Sequence, residues 1–190
     1  MKKSLRLLTA LMVAIVGLAF TSCGDDDDDI KIWDFSPVSI RLDIVDTEGN
    51  DLLDADTPGN ILESELTATF DGKEYTLATD DDPDAGPLSV KSREILSQFY
   101  GLYIQTPDHY FTEGKHNLLC FGEFKGFENF DHTVIFHFPT ADRDITVRVV
   151  SKARWDGDTP NWELEYYLDG QQINPGQGMW SSGIKIILND

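Results

Sequence analysis

From residue 38 onward, apolar and polar side chains alternate with a period of two. Val38, Ile40, Leu42 and Ile44 are separated by Ser39, Arg41 and Asp43. Leu66, Ala68 and Phe70 alternate with Glu65, Thr67 and Thr69, and Val134, Phe136 and Phe138 share one face of a further run. Ile145, Val147 and Val149 follow, then Trp162, Leu164, Tyr166 and Leu168, and finally Ile184, Ile186 and Leu188. Period two places successive side chains on opposite faces of a strand, so each run predicts a strand with one buried and one wet face. That is the pattern of antiparallel sheet.

The punctuation between the runs agrees. Asp71-Gly72 and Asp169-Gly170 each sit between strand-like segments, and Asp-Gly supplies the positive φ angles of a two-residue hairpin. Longer loops are expected at Asp46–Asn60, Thr79–Pro87, Thr106–Gly114 and Ala153–Asn161, where Gly, Pro and Asp cluster. Ser92–Tyr100 alone hints at helix, one or two turns at most, by pairing Ile95 with Phe99 and Leu96 with Tyr100, with a strand as the alternative. Seven to nine short strands without a covering helix predict an all-β fold, a single antiparallel β-sandwich of about residues 37–190.

The N-terminus breaks this pattern. Lys2, Lys3 and Arg6 precede the uncharged run Leu7–Phe20, whose fourteen residues fall short of the roughly 20 that span a bilayer. A basic start before a short apolar run is the pattern of an export signal, expected here over residues 1–22. The next residues, Phe20-Thr21-Ser22-Cys23, resemble the relaxed lipobox of Bacteroidetes lipoproteins. The run Gly24-Asp25-Asp26-Asp27-Asp28-Asp29 resembles the acidic tag that sends such lipoproteins to the outer face of the outer membrane. The resemblance implies an acylated Cys23 as the first mature residue and a tether over residues 23–36. It also implies a lipid anchor in the outer membrane, with the domain facing outward. The stretches "VSIRLDIVDTEGNDLL" and "ELTATFDGKEYTL" resemble the first strands of immunoglobulin-like or prealbumin-like sandwiches.

Charge narrows the partners. Loss of residues 1–22 removes Lys2, Lys3 and Arg6 and no acid, which takes the formal charge from −19 to −22. Such a chain repels phosphate backbones, so nucleic acid is not expected as a partner. If Cys23 carries the lipid, Cys120 is left alone within Leu118-Leu119-Cys120-Phe121 and reads as a small buried hydrophobe.

Candidate chemistry is sparse. Asp80, Asp81, Asp82 and Asp84 form an oxygen-rich run, and Asp46-Thr47-Glu48-Gly49-Asn50-Asp51 another. Either loop offers ligands for a structural calcium ion, although neither has EF-hand spacing. The four histidines do not form a zinc constellation, because His132 and His137 point to opposite faces of their strand. No nucleophile elbow or His-Glu-x-x-His occurs. Glu163 and Glu165 share a strand face, as glycosidase carboxylates might be spaced, but they alternate with apolar residues as any wet face does. Arg148 is a candidate partner for one of them. No catalytic residue is expected, and a glycan hydrolase ranks third among the readings.

Aromatic residues are the surplus. Trp155 and Trp162 bracket Asp156-Gly157-Asp158-Thr159-Pro160-Asn161, Trp180 lies in a glycine-rich stretch, and Tyr110 sits in the 106–114 loop. Rings beside Asp and Asn suit a sugar platform or a protein contact. The expected ligand contacts are therefore Trp155, Trp180, Tyr110, Asp156, Asp158 and Asn161, with Trp162 assigned to the core. The leading expectation is a non-enzymatic glycan-binding lipoprotein, and the alternative is adhesion or surface assembly through a protein partner.

Overall fold

The computed structural model describes residues 33, 35–78, 99–107, 116–174 and 183–188. The chain divides into two compact units, Met1–Asp34 and Phe35–Asp190. Of the first, only Trp33 is among the described residues. The second begins two residues ahead of the expected domain start at 37.

Its described part is all-β. Ten strands run in order: β1 (Val38–Val45), β2 (Thr67–Phe70), β3 (Lys73–Thr76), β4 (Leu102–Gln105), β5 (Leu118–Phe124), β6 (Phe130–Phe138), β7 (Arg143–Asp156), β8 (Thr159–Leu168), β9 (Gln171–Ile173) and β10 (Ile184–Ile187). Among the described residues the one helical element is a 3-10 turn, Pro139–Ala141. The expected helix over Ser92–Tyr100 lies almost wholly outside the described residues; its last two, Phe99 and Tyr100, are not helical. The strand count exceeds seven to nine because short returning strands such as β9, three residues long, carry too little pattern to be read.

The strands form two sheets, one of four in the order β10-β1-β5-β4 and one of six in the order β3-β2-β6-β7-β8-β9. All pairings in the larger sheet are antiparallel, while β1 pairs parallel with β10. Buried residues of both sheets belong to one apolar cluster. Ile40, Leu42, Ile44, Leu119 and Phe121 come from the smaller sheet, and Ala68, Val134, Phe136, Phe138, Ile145, Val147 and Val149 from the larger. The inward positions are those that the alternation selects.

Two Asp-Gly hairpins close as expected, with φ of 49° and 72° at Asp71-Gly72 and 47° and 79° at Asp169-Gly170. A third corrects the expected loop at Ala153–Asn161. There β7 and β8 stay paired out to Asp156 and Thr159, and only Gly157-Asp158 remain as a turn. Gly157, with φ 61°, takes the first central position, where a II′ turn favours glycine.

In β5 the alternation is reset. Val38 pairs with Phe124 and Ile40 with Phe121, so three steps on β5 face two on β1. Gly122, with φ 77°, supplies the extra residue of a bulge. Leu119, Phe121 and Phe124 can thereby all reach the main core. Leu118 and Cys120, on the other face, join Tyr100 and Tyr103 in a second cluster. Cys120 is buried, as expected, and that burial pushes its thiol up to about 12, which leaves it protonated and unreactive at neutral pH.

Candidate functional site: an aromatic cluster at the end of the long hairpin

β7 and β8 outrun their neighbours. The last pair between β6 and β7 is Phe130 with Ser151, whereas β7 and β8 continue five residues further to Asp156 and Thr159. Beside this overhang runs the β5–β6 connection, residues 125–129. Asn129 pins it there: its Nδ2 donates to the Ala153 carbonyl at 3.1 Å and its Oδ1 accepts from the Ala153 N–H at 2.8 Å.

Cross-strand partners share a face, so the register sorts the expected site residues. Val147, Val149, Ser151, Ala153 and Trp155 continue the core-facing side of β7, with Leu168, Tyr166, Leu164, Trp162 and Pro160 opposite them. Trp155 and Trp162 therefore lie on the inward face. Asp156 and Asn161 fall on the other face by the same register, and Asp158 sits in the turn. The expected grouping of Trp155 with Asp156 and Asn161 is thus divided between the two sides of one hairpin. Tyr110, Trp180 and the calcium candidates Asp80, Asp81, Asp82 and Asp84 lie outside the described residues, as does Cys23.

What gathers around Trp155 is aromatic. Phe35 stacks on Phe127 with centroids 4.2 Å apart and planes at 17°. It meets Trp155 and Trp162 edge-on at 6.3 and 6.1 Å, and Phe127 meets Trp155 at 5.0 Å. Trp162 packs against the main core, as expected, and donates its Nε1–H to the buried Ser151 hydroxyl at 2.9 Å. Trp155 keeps 54% of its surface in solvent. Phe127 holds φ 47°, a left-handed conformation uncommon for a bulky residue and costing about 1–2 kcal/mol. A strained aromatic beside an exposed one marks this place more strongly than exposure alone. Phe35 and Phe127 were not singled out by the sequence. Their signal is indirect, since only long-range contacts bring residues 35, 127, 155 and 162 together.

The wet face of the larger sheet carries a second arrangement. On adjacent strands, the Thr69 hydroxyl lies 2.8 Å from His137 Nε2, and His137 Nδ1 lies 2.8 Å from Asp144 Oδ1. The carboxylate only accepts, so in the neutral imidazole the proton sits on Nδ1 and Nε2 accepts from Thr69. That bonding order matches a hydroxyl–imidazole–carboxylate triad. Acyl transfer also needs donors for the oxyanion, worth 10²–10³ in rate for each one lost. Here β2, β6 and β7 each have partners on both sides, and their ladders take up the backbone N–H groups. The same contacts tie β2, β6 and β7 together across the sheet.

The carboxylates are similarly committed. Arg148 pairs with Asp131 through two hydrogen bonds of 2.7 and 2.6 Å, not with Glu163 or Glu165 as the sequence suggested. Asp131 on β6 and Glu165 on β8 both stand across from Val150, on opposite sides of β7, so the register offers Arg148 either carboxylate and the side chain turns to β6. Lys152 takes Glu165 instead, and the Tyr167 hydroxyl donates to the same carboxylate at 2.9 Å. These contacts hold the Glu165 carboxyl below its usual range, which suits an ion-paired surface residue and not a general acid. In the 46–51 loop, Asp46 accepts from Glu48 N, Asn50 N and Asn50 Nδ2. Asp51 accepts from Leu53 N, Asn117 N and Asn117 Nδ2. Among the described residues no three His, Cys, Asp or Glu side chains come together as a metal site. Comparison with protein-family models, with curated proteins and with solved structures finds no match to this chain.

Proposed function

We propose that this protein is a surface-anchored lipoprotein whose domain is a β-sandwich of immunoglobulin-like or prealbumin-like kind. Its role is non-enzymatic binding through the aromatic cluster at the β7–β8 hairpin. In this reading residues 1–22 are an export signal, and Cys23 is acylated and holds the chain in the outer membrane, facing outward. Burial of each acyl CH₂ contributes about 0.8 kcal/mol, so two or three chains suffice without a spanning helix. The ligand is a glycan. The observation that carries this is the half-exposed Trp155 ring, backed by Phe127 and Phe35. A half-exposed indole held in place by two neighbouring rings suits contact with the C–H face of a pyranose.

The first test is a glycan array probed with soluble residues 31–190, with and without calcium. Saturable binding that Trp155→Ala abolishes, with folding retained, is expected. Binding untouched by Trp155→Ala would move the site elsewhere, and silence in both conditions would overturn the glycan reading. For the anchor, Cys23→Ala is expected to leave the membrane fraction; continued sedimentation with membranes would sink it.

A protein partner is the second reading. It is favoured by Ile187, an apolar residue 48% exposed on edge strand β10, since sheet edges accept added strands. Crosslinking on whole cells separates the two.

A further inference from the structure

The aromatic cluster does more than present Trp155. We infer that it clamps the point at which the chain enters the fold, so that the body of the domain begins at Phe35. Phe35 is the first residue of the compact unit, and it touches three aromatic rings drawn from two other parts of the chain. Phe127 stacks on one face of it, while Trp155 and Trp162 close around it edge-on. The next residue is held by a different contact. A Cβ on Gly126 would overlap the Ser36 carbonyl and crowd the Phe35 carbonyl carbon, so the 126–127 turn lies directly against the entering backbone. Asn129 ties that turn to β7 through both of its amide atoms, and Trp162 is fixed by Ser151. The clamp is thus braced from the six-stranded sheet.

Two features argue that holding the entry is what this loop is for. Phe127 occupies a left-handed conformation that glycine or asparagine would adopt more readily. From that backbone position its ring stacks on Phe35. Gly126 has φ outside the left-handed region, so its lack of a side chain answers the close approach of Ser36 and not a turn requirement. Without the clamp, a chain pulled from residue 34 would peel β1 from its Val38 end, where the bulge already interrupts pairing with β5. With it, load stops at the stacked rings.

The inference holds whether or not Cys23 is acylated. If Cys23 is acylated, Phe35 lies twelve residue steps beyond it, a covalent span of at most about 40–43 Å.

Chymotrypsin cleaves after aromatic residues, which makes the Phe35–Ser36 bond its own reporter. The full-length protein and two variants, Phe127→Gly and Gly126→Ala, would be digested under native conditions. Mass spectrometry would follow cleavage at Phe35–Ser36, with the core bond Phe136–His137 as internal reference. Phe127→Gly removes the ring while relieving the strained backbone, so it is expected to fold. Gly126→Ala leaves every ring in place but forces the Ser36 carbonyl away. Both are expected to speed cleavage after Phe35 at least ten-fold with the reference bond unchanged. Unchanged cleavage in both variants would overturn the clamp. A parallel rise at both bonds would overturn it too, because the rings would then support the whole fold and not the chain entry.

Discussion

The two halves of strand β7 obey one alternation and end in different places. In the first half, Ile145, Val147 and Val149 are fully buried under the smaller sheet. In the second half, the same face carries Ser151, Ala153 and Trp155, and solvent access rises from 2% at Ser151 to 54% at Trp155. No change of period marks the transition. The difference lies in what stands opposite. β6 stops pairing at Ser151, and beyond it, among the described residues, Phe35 and the 125–129 connection stand against this part of the hairpin. An inward position in a strand is therefore an address, and its burial depends on how far the neighbouring strands extend.

Truncation in the first half should separate the two most sharply. Phe136 lies across from Ile145 and meets Phe121 of the other sheet edge-on at 6.1 Å. Phe136→Ala should cost about 3–5 kcal/mol, a large part of the ~5–15 kcal/mol that holds such a domain. Thermal melting would show a drop on the order of 10 °C. A drop of only a degree or two would mean that the two sheets do not share this core.

Trp162→Phe tests the boundary between the halves. It keeps a ring against Phe35 but removes the donor to Ser151, leaving a hydroxyl that is only 2% exposed without its partner. The expected loss is about 1–2 kcal/mol. Adding Ser151→Ala should recover most of it, because both ends of the bond are then gone. No recovery would show that Trp162 acts by packing alone.

Trp155→Ala should cost less stability than either, since over half of the ring already faces water, while it removes the ring from the proposed contact surface. Equal loss of melting temperature for Trp155→Ala and Phe136→Ala would erase the distinction between the two halves.

The sequence was legible wherever alternation and turn chemistry act locally. Ile40, Leu42 and Ile44 were readable as one face, as were the Asp71-Gly72 and Asp169-Gly170 turns, because a two-residue period and a positive φ are properties of neighbours. The hairpin at Gly157-Asp158 was misread as a loop because Asp156, Asp158, Pro160 and Asn161 look like loop residues one by one. Pairing between β7 and β8 overrides that preference. The same oversight joined Trp155 with Asp156 and Asn161 in one imagined site, which strand alternation separates. The aromatic cluster was invisible for a different reason: Phe35, Phe127, Trp155 and Trp162 converge only through the arrangement of both sheets. The pairing of Arg148 with Asp131 likewise required knowing which strand lies on which side of β7.

The smallest expected effect lies where the core thins, at the Phe130 end of β6. His132 stacks on Phe130 with centroids 4.6 Å apart and planes at 10°, and it also meets Phe124 and Phe70 at 4.7 and 5.2 Å. Partial burial holds its imidazole below the ordinary histidine value, and the Asp131 carboxylate beside it opposes that shift without cancelling it. The unfolded chain therefore takes up a proton as pH falls through about 6.5, while the folded one still resists. Between the two values the unfolded state binds more protons, so stability rises with pH in that window and is lost as pH falls through it. His132→Phe keeps the stack and removes the titration. Melting from pH 7 to pH 5 should then fall less steeply in the variant than in the parent, by on the order of one degree for a partly exposed group. Parallel curves would mean that the ring is as well solvated folded as unfolded. The fully buried core would then end at Val134, with His132 beyond it.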